Sequence, residues 1–534
     1  MTAGSQTMNV RESVFDLLRF HGITTVFGNP GFTELAFLEH FPDDFNFVLG
    51  LQEASVVSIA DGWAQAARRP ALVVLHSAAG LANAVGGIKT AFHNRTPLIV
   101  VSGQMHRAMQ PGEPMFFERE AREVPAPYVR WSGEPAQAAD VPAAFARAIH
   151  MATQAPAGPV CLAVPMDDWG QEAAGVQRRR VARRTAPDPE RLAEAARALD
   201  ASARPALVLG AEVDRAGAFD AAVGLAERLG AAVYVPPNAA RMSFPGDHPL
   251  FRGGVYMAQA AAAEQLSGHD LIVAVGAGLF DYMAYMPGPA LPEGTRLIQF
   301  TEDPEEAAHA LAGDAAVGDA ALTLEGLTGL TREADRQKPH AGPVPPAVEP
   351  GEAISADAAM EVLEARRPRD SVILLEASSH SSAVFRRVRV RRSGGFYYAG
   401  KGGLGFALPA AVGVALADPG ERAICVIGDG ASLYCVQSLW TAVQHRAPVT
   451  VLVLNNGGYN SLKASADLMK LTRTIPGLDV PGIDFVKLAD GFGCPAARVE
   501  RLADLGPALD RAFAEDGPIL IDLSVDPTVR SLLS

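Results

Sequence analysis

The chain has 534 residues, 49% of them hydrophobic and 20% charged, which excludes a disordered protein and is too long for a single ordinary core. Its 46 Lys and Arg against 60 Asp and Glu leave a net charge of −14, so nucleic acid is not the expected partner. Four scattered cysteines without CxxC spacing, no stretch apolar enough to span a bilayer and no apolar signal-peptide core together lead us to expect a cytoplasmic protein free of the membrane, with no disulfide framework or zinc site.

Residues 9–175 alternate helical periodicity, over 10–21 and 54–67, with short apolar runs at 24–27, 71–75, 98–101 and 160–164. Strands interleaved with helices imply a parallel sheet covered on both faces. Cys161 lies inside one such run and Cys425 inside a later one, so both are expected to be packing residues. A connector follows at 175–189, carrying Arg178, Arg179, Arg180, Arg183 and Arg184, and reads as a solvated linker. Residues 190–335 are again α/β, with strand-like runs at 205–210, 271–275 and 296–300. Gly210-Ala211-Glu212 follows the first of these runs but lacks GxGxxG, so it is read as packing and not as a nucleotide site. A Pro-rich second linker spans 338–350. Residues 352–534 repeat the alternation, with runs at 372–375, 423–427, 449–454 and 518–523. The expected fold class is α/β, with three doubly wound parallel-sheet domains.

The last block holds the most specific chemistry. Gly428-Asp429-Gly430 directly follows one apolar run, and Asn455-Asn456 ends the next. Open α/β sheets place their ligands at these strand ends. A carboxylate (Asp429), a side-chain amide (Asn456) and a nearby backbone carbonyl (Gly458) suit a hard divalent cation that also holds a diphosphate. Gly457-Gly458 lets the chain turn back towards such an ion.

The spacing resembles the Mg²⁺–diphosphate signature of thiamine-diphosphate enzymes. The chain as a whole resembles the 2-oxo acid decarboxylase and acetolactate synthase superfamily, benzoylformate decarboxylases above all. The segments that carry this are VFGNPG (26–31), LQEASVVSIADGWAQA (51–66), LHSAAG (75–80), GGLGFALPAAVGVALA (402–417), VIGDG (426–430) and VPGIDF (480–485), with GAGLFDYMAY (276–285) in the middle block. The resemblance implies a pyrimidine-binding, a central and a diphosphate-binding domain, with thiamine diphosphate and Mg²⁺ as cofactors. It assigns Glu53 to the cofactor's pyrimidine ring and His76 to proton relay beside the substrate. Leu404 becomes the wedge that bends the cofactor, with Gly402 giving the backbone close approach. Ser378, Ser379, Gly428, Gly430, Ala431, Ser432 and Tyr459 become cofactor contacts. Each active site is expected between two subunits, so the partner is a second copy, in at least a homodimer and by family habit a homotetramer.

Two departures bear on the substrate. Related benzoylformate decarboxylases carry a serine where this chain has Phe32, and a histidine where it has Met283. Neither replacement can give or take a proton. Lys401 and His380 are candidates to restore polarity, and Met115, Phe116, Tyr398, Leu462 and Ser465 are candidate pocket walls. The expected reaction is decarboxylation of an aromatic or bulky 2-oxo acid to an aldehyde. The alternatives are carboligation with an aldehyde acceptor to a 2-hydroxyketone, and a pseudoenzyme that only binds the cofactor.

Overall fold

A computed structural model describes residues 8–335, 342, 345, 347–348 and 351–529. Most of the Pro-rich linker at 338–350, and the last five residues of the third block, lie outside the described residues. Three six-stranded sheets form, and neighbouring strands in each are parallel.

The first sheet contains β1 (Thr25–Asn29), β2 (Asn46–Leu49), β3 (Ala71–Leu75), β4 (Leu98–Gln104), β5 (Ser132–Gly133) and β6 (Val160–Pro165), in the order β2-β1-β3-β4-β6-β5. Every residue of β3, β4 and β6 is buried, because helices cover both faces; this is why these runs are continuously apolar. Among those helices are α1 (Val10–Phe20), α2 (Glu53–Ala67) and α3 (Ser77–His93). Asn9 and Glu12 start α1 with a capping box, and the Gln52 side chain accepts from Ser55 N–H at the start of α2.

The central sheet contains β7 (Pro205–Leu209), β8 (Ala232–Val235), β9 (Phe251–Gly254), β10 (Leu271–Val275), β11 (Arg296–Thr301) and β12 (Asp314–Val317), in the order β9-β8-β7-β10-β11-β12. The third contains β13 (Val372–Glu376), β14 (Phe396–Tyr398), β15 (Ala423–Gly428), β16 (Val449–Asn455), β17 (Ala496–Val499) and β18 (Ile519–Ser524), in the order β14-β13-β15-β16-β18-β17. The first and third sheets are therefore wound alike. The arginine-bearing connector is largely exposed but is pinned at both ends, by Arg178 to Asp16 and by Arg184 to Asp319.

The sheets share cores. One apolar cluster runs from Phe27, Ile59 and Trp63 of the first domain into Leu408, Val412 and Val451 of the third. Another joins Leu207 and Val273 of the central domain to Leu375 and Phe396 of the third. The first contact centres on α2 and α4 (Ala407–Ala417), which cross with almost no side chain between them. A Cβ on Gly62 would sit 2.2 Å from the Ala410 carbonyl oxygen, and one on Gly413 2.0 Å from that of Ile59. Among the described residues no helix is long and apolar enough to cross a membrane.

Asp61, fully buried on α2, fastens this contact. Its carboxylate accepts from Gln65 Nε2 at 2.8 Å, Asn94 Nδ2 at 2.8 Å and Thr96 Oγ1 at 2.5 Å. Asn94 Oδ1 in turn accepts from Gly400 N–H of the third domain at 2.8 Å. Burial outweighs these donors and pushes the Asp61 carboxyl up to about 6. An acid with a raised folded pKa stabilises the fold fully below its ordinary value of 3.8 and loses that contribution as pH rises through about 6. We predict that the unfolding midpoint falls across this window, and that Asp61→Asn flattens the slope by about 3 kcal/mol, read by thermal melts between pH 4 and pH 7.

Candidate active site

In the third sheet β13 lies between β14 and β15, so the loops leaving β13 and β15 diverge and open a crevice at their C-terminal ends. A cavity of about 310 Å³ occupies it, lined by Glu376, Ser378, Ser379, His380, Leu404, Gly428, Asp429, Gly430, Ala431, Asn456, Gly458, Tyr459 and Leu462. Most of the residues assigned from the sequence to cofactor and metal are therefore brought together.

Asp429 begins directly after β15. Its Oδ1 accepts from Gly430 N–H at 2.8 Å and its Oδ2 from Gly457 N–H at 2.7 Å. Gly457 has φ +72°, which turns the 456–458 loop back over the carboxylate. Burial raises the Asp429 carboxyl above its ordinary range against these amides, and a cation would favour the anion in the same sense as the amides do. Asn456 Nδ2 lies 3.1 Å from His380 Nε2, leaving Oδ1 as the amide's acceptor. Among the described residues no three His, Cys, Asp or Glu side chains form a ligand cluster. A cation here would use one carboxylate, one amide and the Gly458 carbonyl, with further oxygens brought by a ligand. The donor set fits a divalent ion bound through a diphosphate.

Ser379 Oγ accepts from Ser461 N–H at 3.0 Å, so its own proton remains to donate, and Ser378 is exposed at the crevice. Ser432 is buried and donates to the Asp429 carbonyl at 2.7 Å, so it supports the turn and does not line the cavity. Gly402, at φ +71°, lies in the loop before Leu404 and also outside the lining. His380 was read as a source of substrate polarity. The structure buries it against Asn456 at the Asp429 end of the cavity, where desolvation pushes its pKa down to about 4.

Glu376 was missed as a site residue. This buried carboxylate ends β13 and accepts from Gly405 N–H at 2.6 Å, Phe406 N–H at 2.7 Å and Ala407 N–H at 2.7 Å. It thereby caps α4 and fixes the loop that presents half-exposed Leu404 to the cavity. The signal available was an acid closing an apolar run, facing a glycine-rich helix start.

The first sheet has its crevice at the matching place, between β1 and β3. His76 follows β3, and its Nδ1 lies 3.1 Å from both Thr33 Oγ1 and Glu34 Oε2. Glu34, also missed, is buried and accepts from Gly31 N–H at 2.9 Å. Gly103 makes room for this group, since a Cβ there would sit 2.0 Å from Glu34 Oε1. Glu53 opens α2, half-buried, with Asn83 Nδ2 3.3 Å from its carboxylate. Phe32 and Met115 stand out from the surface, 51% and 76% exposed. None of Phe32, Glu53, His76, Met115 and Phe116 lines the Asp429 cavity.

The remaining candidates scatter. Met283 is 58% exposed on a central-domain loop. Lys401, held at φ +56°, pairs with Asp281 and lines a separate cavity of about 120 Å³ where the three domains meet, so its charge is engaged away from Leu404. Tyr398 ends β14 and packs edge-on against Phe385, with ring centroids 6.5 Å apart. Ser465 Oγ donates back to the Ser461 carbonyl at 2.8 Å, so its hydroxyl is spent within its own helix.

Family models of thiamine pyrophosphate enzymes match the chain in three stretches: the N-terminal TPP binding domain at 8–123, the central domain at 192–327 and the C-terminal TPP binding domain at 376–523. Benzoylformate decarboxylase of Pseudomonas aeruginosa is 44% identical over 519 residues, covering 96% of this chain and 98% of its own. The crystal structure of benzoylformate decarboxylase from Polynucleobacter necessarius matches with a TM-score of 0.96 at 39% identity, over 98% of this chain and 100% of that one. A thiamine diphosphate-dependent 4-hydroxybenzoylformate decarboxylase of Rhodococcus jostii matches with a TM-score of 0.94 at 40% identity, over 97% and 99%. The Glu376 contacts generate a prediction of their own. Glu376→Ala leaves three amides unpaired and should lower stability by about 3 kcal/mol in urea denaturation, with loss of order at residues 402–407.

Proposed function

The chain belongs to the thiamine pyrophosphate enzyme family and is a thiamine-diphosphate-dependent decarboxylase of the benzoylformate type; on that premise we propose that it releases carbon dioxide from an aromatic or bulky 2-oxo acid, with Mg²⁺ as second cofactor, and yields the aldehyde. The observation that carries the reading is the pair of matching crevices. One offers hard oxygen donors for a metal–diphosphate, the other an acid and an imidazole, at the same switch point of two sheets wound alike.

In this reading Asp429, Asn456 and the Gly458 carbonyl hold Mg²⁺. Ser378, Ser379, Gly428, Gly430 and Ala431 receive the diphosphate, while Leu404, Gly402 and Tyr459 shape the space beyond it. Bound thiamine diphosphate supplies an electron sink next to the keto carbon, taking up the electron pair that carbon dioxide leaves behind. Glu53 holds a proton at the cofactor's pyrimidine ring. His76, with Nδ1 engaged by Thr33 and Glu34, gives and takes protons through Nε2 beside the substrate. Phe32, Met115, Phe116, Met283 and Leu462 exclude water.

The assembly is a homodimer at minimum, in keeping with a homotetramer. Helices α2 and α4 run antiparallel, with Gly62 against Ala410 and Gly413 against Ile59 and Trp63. Glu53 at the start of α2 is thus directed towards the far end of α4 from Leu404. A second copy brings the two crevices face to face, and the exposed apolar residues around each become their contact. We place the three domains at residues 9–175, 190–335 and 352–534, and the protein in the cytoplasm.

A second reading is carboligation. Phe32 and Met283 donate no proton, so the carbon left after carbon dioxide departs is protonated slowly and is open to an acceptor aldehyde. The test is a panel of 2-oxo acids assayed for carbon dioxide with and without thiamine diphosphate and Mg²⁺, then with added aldehyde. Cofactor-dependent release is expected; aldehyde as sole product sinks the carboligase reading, and no release from any acid sinks both. Glu53→Gln should lower turnover at least 100-fold with an unchanged melting temperature, and full turnover in that variant would overturn the role given to Glu53.

A further inference from the structure

Pro114 to Phe117 form a tight turn, closed by Phe117 N–H donating to the Pro114 carbonyl at 3.0 Å. Within it Phe116 alone has a positive φ, +68°, the signature of a type II turn with Phe116 at the third position. That position calls for glycine or asparagine, because an L side chain in the left-handed region meets its own backbone. A bulky aromatic there is an outlier, and such residues persist only where surrounding structure over-determines them.

The surroundings do so. Gln104 ties both ends of the loop, its Oε1 accepting from Met105 N–H at 3.1 Å and its Nε2 donating to the Glu118 carbonyl at 2.7 Å. Gln110 Nε2 adds a bond to the Met105 carbonyl at 2.9 Å. The backbone gains nothing from phenylalanine at this point, so the reason lies in where the ring goes. It stands edge-on to His76, with centroids 4.9 Å apart and planes at 67°.

His76 is closed in from other directions too. A Cβ on Gly31 would fall 2.3 Å from the imidazole Cγ and 2.4 Å from Nδ1, so bare backbone lies against the ring. Thr33 and Glu34 take Nδ1. Among the described residues Nε2 has no protein partner.

We infer that Phe116 is a positioning residue, held in a strained turn to clamp the His76 imidazole so that Nε2 keeps one place beside the substrate. A chain with Phe32 and Met283 in place of proton-carrying side chains has one imidazole to serve the substrate, and a ring free to turn about χ2 would spend part of its time with no nitrogen in reach. The inference rests on the decarboxylase reading for its effect on rate, but its structural claim stands apart.

The experiment compares Phe116→Gly and Phe116→Leu with the parent. Glycine suits the turn, so Phe116→Gly should fold with an undiminished melting temperature. Its crystal structure should show His76 in more than one orientation, and kcat should fall about tenfold for a small aliphatic and a bulky aromatic 2-oxo acid alike, with KM within about twofold. Phe116→Leu, which keeps apolar bulk over the ring, should hold His76 in place and retain most of kcat. A single unchanged His76 orientation in Phe116→Gly overturns the proposal. So does a loss confined to KM for the aromatic acid, which would make Phe116 only a wall of the pocket. If the parent enzyme released no carbon dioxide, the functional reading would fall while the His76 orientation still decided the clamp.

Discussion

The close crossing of α2 and α4 is the constraint on which the rest of the molecule depends. Gly62 and Gly413 let two helices from different domains meet backbone to backbone, and the apolar residues around them merge two sheets into one core. Any side chain at either position would drive the helices apart by the thickness of a methyl group or more. The crossing also fixes orientation. It holds the first and third domains, and with them the two crevices, in one arrangement.

Buried carboxylates then fasten the loops. Asp61 and Glu376 each gather three donors, and in both cases burial opposes the charge that the donors favour. A carboxylate presents two oxygens and no hydrogen, so it can meet three converging N–H or O–H groups where an amide would have to turn one of its own hydrogens into them. Glu376 acts within the third domain and sets the Leu404 loop. Asp61 acts between domains, through Asn94 and Gly400. The central sheet is wound differently, in the order β9-β8-β7-β10-β11-β12. At its switch point Glu212 accepts from Thr301 Oγ1 at 2.7 Å and Glu302 N–H at 2.8 Å, and the side chain fills the mouth against Gly276. Ala211 and Glu212 also line the cavity of about 120 Å³ where the three domains meet.

The sequence showed the interior strands, β8 excepted, and hid most of the edges. The runs at 71–75 and 271–275 coincide with β3 and β10, because strands covered on both faces are written as unbroken apolar runs. The edge strands β5, β9, β12, β14 and β17 are short or half exposed and carry no long apolar run, so their sheets were underestimated; only β2 lies in such a run, at 47–51. The grouping around Asp429 was legible because it is local, two strand ends and the residues that follow them. Glu34 and Glu376 were not, since His76 for the one and Gly405, Phe406 and Ala407 for the other lie on other segments, and an isolated acid does not announce the group it gathers. Lys401 and Ser465 mislead for a related reason. Each is polar in sequence, but the structure spends one on Asp281 and the other on its own helix.

On the proposed function, the substrate side follows a different logic from the cofactor side. Around Asp429 oxygen donors accumulate, whereas Phe32, Met115, Phe116, Met283 and Leu462 form apolar surface that a single chain leaves exposed. In the dimer proposed above, a second copy would cover such surface and remove water from the space between. A 2-oxo acid placed there brings a carboxylate into surroundings that solvate it poorly, and its loss as neutral carbon dioxide relieves that cost. Two polar groups replaced by Phe and Met thus need not weaken the first chemical step. On the proposed function they weigh on the next one, where a proton must reach carbon, and that burden would fall on His76, whose Nε2 has no protein partner among the described residues.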